Sequence, residues 1–302
     1  MKHDTRYEAR LSRALCSLEG LSVGDAFGET FFINPNIVDG LIAERALRQP
    51  PWPWTDDTIM ALSIVEELRN EGEILSGQLA LNFANRYDIL RGYGPAMHGL
   101  LKYIRLGIPW ETATGRLFEG QGSWGNGAAM RVAPLGAYFA DDFEALTANA
   151  MRSAEVTHHH PEGIAGAVAV AVAAAVAWNL RGTPQPKRAA FIDMVLPYVP
   201  DSLVRAKLRN ARDLSSDCSV RLAVAALGNG TGVSAPDTVP FALWCAGERL
   251  ADYEEALWAT VSALGDRDTT CAIVGGIVAC YTGTEAIPEP WRDAREEFPA
   301  WF

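Results

Sequence analysis

Between Gly163 and Leu180 the chain runs GIAGAVAVAVAAAVAWNL, an uninterrupted stretch without a charged residue. Its length would suffice to cross a membrane as a helix. Its commonest residue is alanine, which is only weakly apolar, and nothing else in the chain resembles it. A buried helix accounts for it better, one whose small side chains let neighbouring backbones come close. Pro161 is well placed as its first helical residue. A fold that buries so long a helix on every side needs further helices around it.

The rest of the chain supplies them. Apolar residues recur at three- and four-residue spacing from Tyr7 to Val23, with Leu11, Leu15, Leu18 and Ser22 on one face. Similar runs are Ile59 to Leu68, Ser76 to Tyr87, Pro95 to Leu106, Ala128 to Phe139, Asp142 to Ser153, Ile164 to Leu180 and Ala189 to Leu196. Val204 to Leu214, Thr238 to Leu243, Asp252 to Leu264 and Thr269 to Cys280 follow. No convincing series of alternating strand patterns appears. The joining loops are rich in Gly and Pro, as in RGYGP, EGQGSWGNGA, RGTPQP and GNGTGVSAP. No low-complexity linker divides the chain. The expectation is one all-α domain over residues 1–302, acting as a monomer.

Charge and cysteine content narrow the function. Hydrophobic residues make up 49% and charged residues 21%, a globular balance. A net charge of -11 repels a phosphate backbone, so nucleic acid is not an expected partner. Five cysteines, none in a CxxC pair, disfavour a disulfide framework or a cysteine zinc site. A charged N-terminal stretch, MKHDTRYEARLSRAL, without an apolar signal core completes the expectation of a cytoplasmic protein with no membrane attachment.

Two helix entrances carry more carboxylates than capping requires. WTDDTIMAL at 54–62 and GDRDTTCAIVGGIVA at 265–279 each place two Asp and neighbouring Thr residues just before an apolar run. Asp and Thr cap helix N-termini, and negative charge there suits the helix dipole. Capping explains one Asp at each end; the second adds repulsion, which a divalent cation would remove. Hard oxygen ligands suit Mg²⁺ or Mn²⁺. If the entrances meet, Thr55, Asp56, Asp57, Asp266, Asp268 and Thr269 can hold one or two ions. The Trp52-Pro53-Trp54 lead-in reads either as a stiff segment aiming these ligands or as core packing.

GQGSWGNGAAMRVAPLG at 120–136 joins closely spaced glycines to a helix start, where a backbone can approach a ligand and an anion can bind. Its Trp124 offers a platform for a ring or base. RGYGP at 91–95 is a weaker loop of the same kind. In THHHP at 157–161 consecutive histidines point in different directions, so one lining a pocket is expected rather than a three-histidine metal site.

Together these stretches resemble the ADP-ribosylglycohydrolase family. The resemblance covers nearly the whole chain and rests on GLSVGDAFG at 20–28, WTDDT at 54–58, RGYG at 91–94, GSWGNGAAMRVAPLG at 122–136, THHHPEG at 157–163 and GDRDT at 265–269. It implies a compact orthogonal multi-helix domain and a centre of two divalent cations, Mg²⁺ or Mn²⁺. The implied metal ligands are Thr55, Asp56, Asp57, Asp266, Asp268 and Thr269. The implied ADP-ribose site comprises Gly92, Gly94, Ser123, Trp124, Gly125, Asn126 and His158. Many members carry a Glu four residues after the last Gly of the first motif. That position is Phe32 here, and Glu29 stands nearby as a possible replacement.

The function implied is metal-dependent hydrolysis of the bond between ADP-ribose and an acceptor, a protein side chain such as arginine or a small molecule. Asp57 or Asp268 would orient or deprotonate the attacking water, and a carboxyl or a metal-bound water would protonate the leaving group. The replaced Glu keeps a second reading open, a non-catalytic ADP-ribose-binding module of the same fold. A third, helical prenyl transfer through DDxxD, lacks its last Asp, because Asp56-Asp57 is followed by Thr58-Ile59-Met60.

Overall fold

The alanine-rich run is the helix Pro161–Asn179, and every residue from Ala165 to Ala177 is buried. It is long and apolar enough to span a membrane by composition, yet 78% of its apolar window is buried inside the protein. Its small side chains do what the sequence suggested. A Cβ added to Gly136 would lie 2.0 Å from the carbonyl oxygen of Ala171, so the helix Ala133–Tyr138 touches this one backbone to backbone.

The structure, a computed structural model, describes residues 5–302, so the first four residues of the charged N-terminal stretch lie outside it. Seventeen α-helices joined by short turns make up the described residues, with two isolated bridges and no strand. All five cysteines are free thiols. The buried apolar residues form a core that runs from Ala14 to Ala294.

A second close contact positions the chemistry. The first helix, Thr5–Glu29, lies against Arg267–Thr282. Gly20, Gly24 and Gly28 recur every four residues and so share one face. A Cβ on Gly24 would meet the Cys271 carbonyl oxygen at 2.2 Å, and one on Gly28 would meet that of Arg267 at 2.2 Å. Only glycine allows this approach, which sets Asp25 beside the start of the partner helix.

Several expected spans change. The first helix continues from Val23 to Glu29, through glycines that disfavour helix in isolation but are held by this contact. Ala128 to Phe139 splits into Gly127–Met130 and Ala133–Tyr138. Pro134 lacks an N–H and its ring crowds the carbonyl four residues back, which favours a break here. Thr238 to Leu243 lengthens to Ala235–Glu248 despite Pro240 inside it. Four helices had no sequence counterpart: Pro35–Ala43, Trp110–Thr114, Val220–Leu227 and Glu289–Ala294. All are short, nine residues or fewer. Trp52 and Trp54 prove to be core residues, 1% and 4% exposed. Trp52 sits edge-on to Trp291, and Phe27 stacks on Trp291 at 4.4 Å.

Candidate active site

The first entrance begins the helix Asp56–Glu71, and its cap is Thr55, whose hydroxyl accepts from the Asp57 N–H. Asp56 and Asp57 both lie inside the first turn. At the other entrance Asp266 holds the N-cap position of Arg267–Thr282 but makes no capping bond with its side chain. The expectation that an Asp caps the first entrance is therefore corrected, since Thr55 holds that place. At the first entrance capping explains neither carboxylate; at the second only Asp268 meets a first-turn donor, its Oδ1 accepting from Thr269 N at 2.8 Å.

The two entrances do meet. Thr269 Oγ1 lies 3.5 Å from Asp57 Oδ2, across more than two hundred residues of sequence. A fifth carboxylate, Asp25, enters from the first helix and is fully buried. Its Oδ2 accepts from Thr55 N at 2.9 Å, Thr58 N at 3.2 Å and Thr58 Oγ1 at 2.5 Å. Oxygens of Asp25, Asp57 and Asp268 lie within 4.8 Å of one another, close enough to share a metal ion. Asp25 carries no doubled-Asp signature in the sequence. The glycines flanking it at spacing four were the available signal.

Neighbouring hydrogen-bond donors are few in this cluster. Thr55 Oγ1 lies 2.9 Å from Asp25 Oδ1 and 3.1 Å from Asp57 Oδ2, yet its one proton serves only one of them. Asp57 is 1% exposed and its Oδ1 has no partner. Burial, then the neighbouring carboxylates, push Asp57 and Asp268 well above the usual carboxylate range. Burial and Asp25 push Asp56 to about 8. Asp266 is also raised by burial, against the hydrogen bond from Asn126 Nδ2 at 2.6 Å. An orphaned buried oxygen in an all-oxygen donor set fits a hard divalent cation.

The cluster forms one wall of a cavity of about 550 Å³. Asp56, Asp266, Asp268 and Thr269 line it, whereas Thr55 and Asp57 are buried and do not. All seven residues expected at the ligand site line it as well: Gly92, Gly94, Ser123, Trp124, Gly125, Asn126 and His158. Trp124 is 54% exposed at the rim. The three histidines diverge as expected. His158 is buried, His159 is exposed, and His160 caps the alanine-rich helix through Nδ1 to Glu162 N.

The glycine loop has a more local explanation than ligand approach. Cβ atoms on Gly125 and Gly127 would lie 3.1 and 2.9 Å from His158 Nε2, so both glycines make room for that ring. The loop is also stitched to residues 228–236, which the sequence reading treated only as a connection. Ala235 N donates to Trp124 O at 2.9 Å, and Asp266 N donates to Asn229 O at 3.1 Å. Val233 and Phe118 complete the rim in left-handed backbone conformations, φ 49 and 53. Both are rare for such side chains.

Glu29 ends the first helix, half-buried, and is not among the cavity's lining residues. Burial, then Asp25, raise it to about 7, with Arg267 opposing them. Phe32 is 46% exposed and faces the Arg267 guanidinium, 4.6 Å from its ring centre, while that guanidinium also binds the Phe31 carbonyl.

Known proteins are similar to this chain over nearly its whole length. The profile of the ADP-ribosylglycohydrolase family matches residues 6–302. An uncharacterized protein of Archaeoglobus fulgidus is 34% identical, over 92% of this chain and 90% of its own length. ADP-ribosylhydrolase ARH3 of Homo sapiens is 26% identical over 95% of this chain and 90% of its own. ADP-ribosylarginine hydrolase Tri1 of Serratia proteamaculans is 26% identical over 94% and 75%. Among solved structures, an ADP-ribosylglycohydrolase-related protein complex superposes with a TM-score of 0.63 at 27% identity, covering 96% of this chain and 94% of that one.

Proposed function

The chain belongs to the ADP-ribosylglycohydrolase family, and from that premise we propose that it is a metal-dependent hydrolase releasing ADP-ribose from an acceptor side chain such as arginine. The observation that carries the metal is the orphaned Asp57 Oδ1 within a buried, crowded group of carboxylates. Thr55, Asp56, Asp57, Asp266, Asp268 and Thr269 would hold one or two ions, Mg²⁺ or Mn²⁺. When bound, the ions supply Lewis acidity, holding the ribose hydroxyls and acidifying a water at the anomeric carbon.

The chain's own residues do the rest. Asp268, in the cavity lining, and Asp57, buried beside it, orient the water. Asp25, held by Thr55 and Thr58, fixes the first turn that carries Asp56 and Asp57. Ser123, Gly125 and Asn126 receive the diphosphate-ribose, and Trp124 packs on a ring at the rim. Glu29, raised to about 7 and set back from the cavity beside Asp25, is suited to exchange a proton with the leaving group through an intervening water. Arginine, serine and small-molecule conjugates of ADP-ribose, incubated with enzyme and each metal, test the reading. Release from the arginine conjugate, lost in Glu29→Gln, supports it. Binding of ADP-ribose with no release from any conjugate identifies the non-catalytic module instead.

A further inference from the structure

The reaction just outlined leaves one buried cation without a task. Arg131 is fully buried in the break between Gly127–Met130 and Ala133–Tyr138. Its Nη2 donates to Ser153 O and to Thr157 Oγ1, both at 2.8 Å. A guanidinium only donates, so Thr157 Oγ1 must accept this bond. The hydroxyl's own proton is then directed at its other neighbour, His158 Nδ1, at 2.7 Å. That nitrogen must present its lone pair, and the single proton of the neutral ring goes to Nε2. Nε2 lies beside Gly125 and Gly127, where His158 lines the cavity. The opposite arrangement would put two donors on one hydroxyl oxygen and leave its buried proton unused.

We propose that Arg131 and Thr157 are positioning residues, which through one hydroxyl proton lock His158 as its Nε2–H tautomer, a neutral donor aimed at a ligand oxygen in the cavity. Burial and Arg131 hold His158 down at about 3, so the ring stays neutral. The ligand's identity, the diphosphate-ribose of ADP-ribose, rests on the function proposed above; the tautomer does not.

The test uses full-length protein labelled with ¹⁵N-histidine and long-range ¹H–¹⁵N correlation, with His158→Gln identifying the resonances. The expected wild-type spectrum shows an unprotonated Nδ1 and a protonated Nε2. Thr157→Val mixes the tautomers and weakens ADP-ribose binding about tenfold, the loss of one oriented hydrogen bond. Thr157→Ser restores both. A proton on Nδ1 in the wild type, or a Thr157→Val spectrum identical to it, overturns the proposal. If the valine variant does not fold, the wild-type spectrum decides alone. Should ADP-ribose fail to bind while Nε2 carries the proton, the ligand assignment falls and the lock stands.

Discussion

Asp57 shows what a single residue contributes and costs. It is buried beside Asp25 and Asp268, and one of its oxygens has no donor. Without a cation, such a carboxylate opposes folding. Asp57→Asn should therefore raise the melting temperature of chelated protein while lowering turnover about 100-fold or more. A lower melting temperature would show that the carboxylate stabilises the apo fold. The raised carboxylates also set a pH dependence. Asp56 titrates near 3.8 when unfolded and at about 8 when folded, and Glu29 near 4.5 and at about 7. Between those limits the folded state binds more protons, so stability is full below pH 4 for these groups and is lost as pH rises toward 8. Melting of chelated protein at pH 5 and pH 8 checks this. The pH 5 sample should melt higher, and Mg²⁺ or Mn²⁺ should narrow the gap.

At the level of the helix, the site depends on the glycine face of Thr5–Glu29. Gly24→Ala places a Cβ 2.2 Å from the Cys271 carbonyl oxygen. The helices must separate, at a cost of about 1–3 kcal/mol, and Asp25 moves away from Thr55 and Thr58. Urea unfolding of the variant should show that loss, and wild-type stability would refute the contact. A second element prediction concerns the loop with Gly92 and Gly94. Arg91 binds Glu296 through two bonds, at 2.7 and 2.9 Å, and lies on the Trp54 ring. Arg91→Ala should raise KM several-fold with a smaller change in kcat, because it frees a cavity wall rather than a reacting group. Steady-state kinetics distinguishes the two effects.

Over the whole molecule, the legible features were those with a strong local signature. The uncharged alanine run announced a buried helix, and the doubled Asp at two helix starts announced carboxylates that local structure did not need. Less legible was anything set by distant contact. Asp25 belongs to the cluster only because the glycine face brings two helices together. His158 owes its place to two glycines that looked like ligand-binding positions. Residues 228–236 read as a connection, yet they support both the glycine loop and Asp266. Capping was assigned to Asp because Asp and Thr are interchangeable caps in sequence; the structure gives that task to Thr55.

The central claim is that the two Asp-rich helix starts form one metal-dependent hydrolytic centre. Its most direct test is ADP-ribose release from an ADP-ribosylated substrate by protein stripped of metal and then titrated with Mg²⁺ or Mn²⁺. The account predicts no release from stripped protein and recovery on adding either ion, with no recovery in Asp57→Asn. Full turnover by the stripped enzyme would contradict it.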